Sequence, residues 1–365
     1  MRSKATSRRR ASGSTWGAEL RAVVIREHGG PEVLSFEERP VPEPGPREAR
    51  IRVRTVGLNH LDLWVRVGVP GHVFPLPIVP GCDVAGVVDA LGPLASGFAV
   101  GDDVIVAPGR SCGRCAACRA GDDAVCKSFG IVGESMDGGC QEFLVVPDHQ
   151  LFPKPKALDW AQAAAVPLTF LTAWHMLKRR ANVQPGEWVL IHAAGSGVSS
   201  AAIQIALLFG ARVLTTAGSD EKCSRGVALG AEEAINYRTS DFLKEVRRIT
   251  GGRGVDVVID HLGAETFERS LRCLVKGGRY VTCGATAGYE LKTEFRLIFF
   301  KSLSILGSTM GGSHELATVL ELVSQGRLQP VVDRVYPWEQ VAAAHGRLES
   351  REAFGKVVLT VSPSP

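Results

Sequence analysis

The chain has 365 residues, more than one hydrophobic core ordinarily serves, so two domains are expected. It is 45% hydrophobic and 22% charged, the balance of a soluble globular protein, and no window offers the ~18–20 uninterrupted apolar residues of a membrane span. The net charge of +4 is small, with Lys and Arg scattered, which excludes a basic stripe of the kind that binds nucleic acid along the body of the chain.

The start is the exception. Arg2, Lys4, Arg8, Arg9 and Arg10 all precede the first acid, Glu19. Residues 1–19 therefore read as a disordered basic tail. Steering to nucleic acid or an organelle transit segment is the alternative, whereas the lack of an apolar h-region argues against secretion and leaves a cytoplasmic protein as the expectation.

From residue 20 to about 146 the pattern is strands and turns. Residues 22–26 and 49–56 alternate as half-buried strands do, broken between by Pro40, Pro42, Pro44, Gly45 and Pro46, and 83–89 and 103–107 add two more. The texture turns helical over 159–180. Strands then follow at 188–192, 212–216, 234–237, 255–260 and 279–283, with a helix at 200–209 and helical stretches between, which predicts a parallel sheet with helices on both faces. A helix over 316–325 and a closing strand over 356–361 complete the chain, and that strand is expected to return to the β-rich domain. The division predicted is a first domain of 20–168 plus 309–365 and a second of 169–308.

Cys112, Cys115, Cys118 and Cys126 have the spacing C-x2-C-x2-C-x7-C. Four thiolates fill a tetrahedral zinc site and leave no position for water or substrate, so the site predicted is one structural Zn²⁺. Arg110, Arg114, Arg119 and Lys127 beside the ligands offset its negative charge. An iron–sulfur cluster would also take four cysteines. The other five, Cys82, Cys140, Cys223, Cys273 and Cys283, stand isolated and read as small buried hydrophobes.

Between the strand at 188–192 and the following helix lies a turn holding Gly195, Ser196, Gly197 and Val198. In that context glycines let backbone N–H groups approach a pyrophosphate, and the helix N-terminus favours its charge. Ser199 replaces the usual third glycine. At the end of the second strand an acid would select NAD, but the chain has Thr216, Ala217, Gly218 and Ser219, with Lys222 beyond. A 2′-phosphate meets no repulsion there, and Ser219 and Lys222 can hold it, so NADP(H) is the cofactor predicted.

Residues 56–62 (VGLNHLD), 80–88 (PGCDVAGVV), 167–174 (PLTFLTAW), 193–198 (AAGSGV) and 235–237 (INY) give the chain a resemblance, from about residue 20 to 361, to the medium-chain dehydrogenase/reductase superfamily. Within it the chain looks like the quinone oxidoreductase branch. The resemblance implies a GroES-like catalytic domain and a Rossmann cofactor domain with the active site between them. It also implies that Lys222 and Tyr237 grip the 2′-phosphate, and that Thr172 and the backbone at Cys283, Gly284, Gly307 and Thr309 lie near the nicotinamide. Zinc alcohol dehydrogenases carry a second, catalytic zinc, and the matching positions here are Asn59, Cys82 and Leu168, a set in which only Cys82 is a good ligand.

Without that zinc, oxidising a plain alcohol lacks its Lewis acid, whereas hydride delivery to an activated C=C or a quinone needs only donors for the developing enolate. Asn59 and His60 are placed at the cleft by the resemblance. His60 is also a candidate proton source, with Asp62 either orienting it or tying down the loop. The activity predicted is NADPH-dependent reduction of a quinone, enal, enone or 2-enoyl thioester. The rivals are an alcohol dehydrogenase with a metal improvised at Cys82, Asp83 and His60, and a non-catalytic NADPH-binding protein. The remaining histidines read as structural, with His192 and His261, which end cofactor-facing strands, also candidates to border the nucleotide, and Trp64 reads as lining either a pocket or the core. The partner expected is a second copy of the chain, docked through an edge strand at 302–308, and nucleic acid is not an expected partner.

Overall fold

The computed structural model describes residues 19–361; the expected tail lies outside the described residues except for Glu19, which opens the first strand. No helix among the described residues is long and apolar enough to cross a membrane.

The first layer is an open, largely antiparallel sheet centred on Glu48–Leu58. That strand pairs with Asp83–Leu91 on one side and with the last strand, Lys356–Thr360, on the other; Phe143–Pro147 pairs with its first half. Asp103–Val106 and Leu151–Pro153 extend one edge and Val332–Pro337 the other. The alternation read from the sequence works here as an inside–outside code up to a register shift at Val53–Thr55: Ile51 and Val53 are fully buried, while Arg52 and Arg54 are half-buried. Val84, Val104 and Leu359 from neighbouring strands complete the same cluster, each buried side chain contributing about 1.5–3 kcal/mol.

The second layer is a six-stranded parallel sheet. From edge to edge its strands are Glu233–Asn236, Arg212–Ala217, Trp188–Ile191, Val255–Asp260, Leu274–Thr282 and Ser304–Gly307, so the order reverses between Trp188–Ile191 and Val255–Asp260. Strands such as Trp188–Ile191 and Val255–Asp260 are buried along their whole length, as a parallel sheet covered on both faces requires. A crevice forms at such a reversal point, beyond the carboxyl ends of the strands.

One element differs from the sequence reading. The helical stretch at 159–180 is two helices, Trp160–Ala164 and Pro167–Trp174, the second running into a π-helical turn, His175–Arg180. Pro167 has no N–H to continue the first helix and its fixed φ suits the first turn of a new one. The break matters, because Pro167–Trp174 then packs on the helix Gly197–Leu208 of the parallel sheet and on Ser313–Ser324, joining the two layers.

Candidate active site and zinc lobe

A single cavity of about 760 Å³ occupies the crevice, with walls from both layers. On the cofactor side, Ser196 caps the helix Gly197–Leu208 by accepting from Ser199 N at 3.0 Å. The substitution at the third glycine has a clear consequence: Ser199 is fully buried and its hydroxyl donates to the His192 carbonyl at 2.6 Å, drawing helix and strand together. Gly197 is required by close approach, since a Cβ there would meet Thr169 Cγ2 at 2.8 Å and Lys356 Cδ at 3.0 Å. The helix N-terminus and its free N–H groups point where a pyrophosphate would be held.

Of the cofactor residues read from the sequence, Thr172, Gly195, Ser196, Gly197, Val198, Lys222, Tyr237, Cys283 and Thr309 lie on the cavity wall. Two are engaged elsewhere: Ser219 caps the helix Asp220–Ala228 by accepting from Lys222 N, and the Gly307 carbonyl accepts from Arg180 Nε at 2.7 Å. Lys222 Nζ donates to the carbonyls of Arg351 and Ala353, at 2.7 and 2.9 Å, and burial lowers its pKa. At the end of the second strand the Tyr237 hydroxyl and Arg238 Nε both stand over Gly218, 2.7 and 3.5 Å from where a Cβ would be. The sequence reading did not single out Arg238, although an arginine directly after Tyr237 was in plain view.

On the catalytic side, Asn59 caps the helix His60–Val67. Its side-chain NH₂ donates to Asp83 Oδ2 at 3.0 Å, the Gly57 carbonyl at 3.2 Å and Cys82 Sγ at 3.3 Å. Its Oδ1 accepts from Lys356 Nζ at 2.7 Å. Lys356 also donates to the Leu58 carbonyl and Asp83 Oδ2, both at 2.8 Å, so three bonds satisfy its ammonium. Lys356 and Asp83 are buried, and Asp83 Oδ1 accepts from Leu168 N at 2.7 Å. The three positions that matched a catalytic zinc site, Asn59, Cys82 and Leu168, are thus drawn together around a Lys–Asp ion pair. Burial, then the Asp83 and Asp62 charges, push the Cys82 thiol well up. Lys356 was missed; a lysine opening an otherwise apolar strand was the available signal.

Asp62 ties down the loop: it accepts from Asn59 N at 2.7 Å and Gly81 N at 2.9 Å, and burial raises its pKa to about 6. His60 faces the cavity together with His192, His261 and Trp64. Burial, then His261, Arg351 and Lys356, push the His60 pKa down to about 4. Near neutral pH it is a neutral imidazole, able to donate one N–H, rather than the near-neutral acid suggested by an unperturbed histidine.

None of the four cysteines with metal-site spacing lines this cavity. The Sγ atoms of Cys112, Cys115, Cys118 and Cys126 all lie within 4.8 Å of one another, with Cys115 to Cys118 at 3.4 Å and Cys112 to Cys118 at 3.9 Å. Zn–S bonds of ~2.3 Å in a tetrahedron place sulfurs about 3.8 Å apart, so the donor set fits one Zn²⁺. None of the nine cysteines is in a disulfide. Among the described residues this is the one group of three or more His, Cys, Asp or Glu side chains that converges as metal ligands do.

Comparison with known proteins agrees with this geometry. Residues 45–156 match the alcohol dehydrogenase GroES-like domain and 229–359 match the zinc-binding dehydrogenase domain. The quinone oxidoreductase of Pongo abelii is 33% identical over 348 residues, covering 93% of this chain and 97% of its own. The 2-haloacrylate reductase of a Burkholderia species is 33% identical over 356 residues, covering 93% and 98%. A solved structure described as an NAD-dependent alcohol dehydrogenase is 54% identical and superimposes with a TM-score of 0.91, covering 94% of this chain and all of that one. With a GroES-like domain, a Rossmann sheet and a nicotinamide-nucleotide crevice between them, the chain is an oxidoreductase that belongs to the zinc-binding dehydrogenase family of the medium-chain dehydrogenase/reductase superfamily.

Proposed function

We propose that the chain is an NADPH-dependent reductase of carbonyl-activated C=C bonds or quinones, with its one zinc confined to the Cys112–Cys126 lobe. The observation that carries this reading is the buried network of Lys356, Asp83 and Asn59. It satisfies the groups that would otherwise be available to a metal at the cleft, and Leu168 contributes no ligand atom. The bound nicotinamide would supply hydride to the β-carbon of the substrate. The electron pair then moves to the substrate's carbonyl oxygen, where the neutral His60 ring donates a hydrogen bond to the developing enolate. With His60 pushed to about 4, the proton that completes the reduction comes from solvent at the cavity mouth. Trp64, Phe74 and Leu168 give the same cavity an apolar wall for the substrate carbons.

NADPH is favoured over NADH by the groups at the end of the second strand. Asp220, the nearest acid, is off the cavity wall and accepts from Asn236 Nδ2 at 2.7 Å, while Tyr237, Arg238 and Lys222 supply the wall with one hydroxyl and two cations. A homodimer is supported by the Ser304–Gly307 edge, which pairs on one side only and carries an exposed Ile305 beside the exposed Phe295, Phe299 and Phe300.

The alternative is an NAD-dependent alcohol dehydrogenase, favoured by the 54% identity to the solved structure of that description. NADPH and NADH consumption measured across quinones, enals, enones and 2-enoyl thioesters, against alcohols with NAD⁺ or NADP⁺, separates the two. Turnover confined to alcohols, with two metals per chain by elemental analysis, overturns the reductase reading.

A further inference from the structure

One carboxylate joins the zinc lobe to the wall of the cofactor cavity. Asp123 lies in the short turn between Cys118 and Cys126. Its Oδ2 accepts from both Ser313 N, at 3.2 Å, and Ser313 Oγ, at 2.9 Å. Ser313 opens the twelve-residue helix Ser313–Ser324, so the lobe sets a negative charge on a helix N-terminus, where it is favoured. The fit is close: a Cβ on Gly312 would come within 2.2 Å of Asp123 Oδ1. From the other side Glu315 accepts from Gly312 N at 2.9 Å and contacts His175 Nδ1 at 2.7 Å.

The segment just before this helix, Ser308, Thr309 and Met310, is cavity wall. Met310 sits at φ +45° and is buried, a left-handed conformation unfavourable for a non-glycine residue and kept only where surroundings impose it. Upstream the wall is pinned where Ser308 N donates to the Thr282 carbonyl at 2.8 Å. Downstream, Asp123 and Glu315 hold it.

We propose that the zinc lobe positions the cavity wall, with Asp123 as the positioning residue that transmits lobe geometry to Thr309 and Met310. The metal then influences cofactor binding through this latch without touching the reactants. The proposal rests on the cavity as a nicotinamide-nucleotide site and is indifferent to which substrate is reduced.

The test measures NADPH affinity by fluorescence, without any hydride acceptor, alongside zinc per chain and thermal midpoint, for Asp123→Ala, Ser313→Ala and the double variant. Asp123→Ala is expected to keep one zinc per chain and a near-normal midpoint while its Kd for NADPH rises about tenfold. Ser313→Ala raises Kd less, and the double variant is no weaker than Asp123→Ala alone, because both remove one interaction. An Asp123→Ala protein with zinc retained and Kd within about twofold of wild type overturns the proposal. Should Asp123→Ala lose zinc or fail to fold, a wild-type Kd in Ser313→Ala overturns it instead. If wild type binds NADH and not NADPH, the cofactor choice above fails while the latch is tested with NADH; if it binds neither, the latch falls as well.

Discussion

Replacing Lys356 by Met removes one cation and leaves a carboxylate behind in the protein interior. Asp83 has a fully buried side chain, and Lys356 Nζ at 2.8 Å is its one charged partner; Leu168 N and the Asn59 amide remain. Breaking a buried pair by deleting one member costs about 3–5 kcal/mol, because the remaining charge stays desolvated, whereas neutralising both members is often nearly neutral. Taking about 4 kcal/mol, and about 2–4 °C per kcal/mol for domains of this size, Lys356→Met should melt about 8–16 °C below wild type at pH 7. The double variant Lys356→Met/Asp83→Asn should recover most of that loss. Differential scanning calorimetry on the three proteins makes the comparison. A single variant that loses less than about 1 kcal/mol, or a double variant no more stable than the single, would refute the view that Asp83 depends on this ammonium.

The remaining expectations follow from individual contacts. His60 is held at about 4 in the folded state against about 6.5 unfolded, so the unfolded chain binds more protons between those values. The stability it contributes is complete above pH ~6.5 and declines by up to about 3 kcal/mol as pH falls through 4. His60→Gln should flatten that part of a chemical-denaturation series, leaving the loss from His345, which burial pushes to about 3. Gly197→Ala places a methyl 2.8 Å from Thr169 and 3.0 Å from Lys356, and should cost about 1–3 kcal/mol and weaken NADPH binding in a fluorescence titration. Arg238→Ala should raise KM for NADPH at least tenfold with KM for NADH unchanged; an equal rise for both would place Arg238 away from the 2′-phosphate. Cys118→Ser should lower zinc per chain below one and reduce the thermal midpoint, read by elemental analysis and calorimetry on the same sample.

Features carried by short-range pattern were legible in the sequence. Trp188–Ile191 announces itself as a buried parallel strand by an uninterrupted apolar run and Val255–Asp260 by Val255, Val257, Val258 and Ile259 around a single Asp256, and the four cysteines meet because their spacing closes one small lobe. Interactions spanning hundreds of residues left a weaker trace. Lys356 reaches Asn59 across 297 positions, and Asp123 reaches Ser313 across 190, distances over which sequence spacing says nothing about contact. Electrostatic context was equally hidden: His60 reads as a titrating histidine until the buried wall and the neighbouring His261, Arg351 and Lys356 are in place. The helical texture over 159–180 was legible from the recurring faces of Leu168, Leu171, Met176 and Leu177, whereas its division at Pro167 was not drawn from it.

The pairing of Lys356–Thr360 with Glu48–Leu58 also bears on the order of assembly during synthesis. Leu58 lies opposite Val357, so a central strand of the first sheet stays without one neighbour until residues 356–360, some 300 positions later, have left the ribosome. The parallel sheet has no such wait, since its six strands all fall between residues 188 and 307. It can close as an inserted unit while the surrounding domain is still open. Gly355 N, which donates to the Gly195 carbonyl at 2.8 Å, then lets the final strand dock against a nucleotide turn already built. A nascent chain stalled before residue 356 should therefore hold a protease-resistant cofactor half beside a digestible remainder.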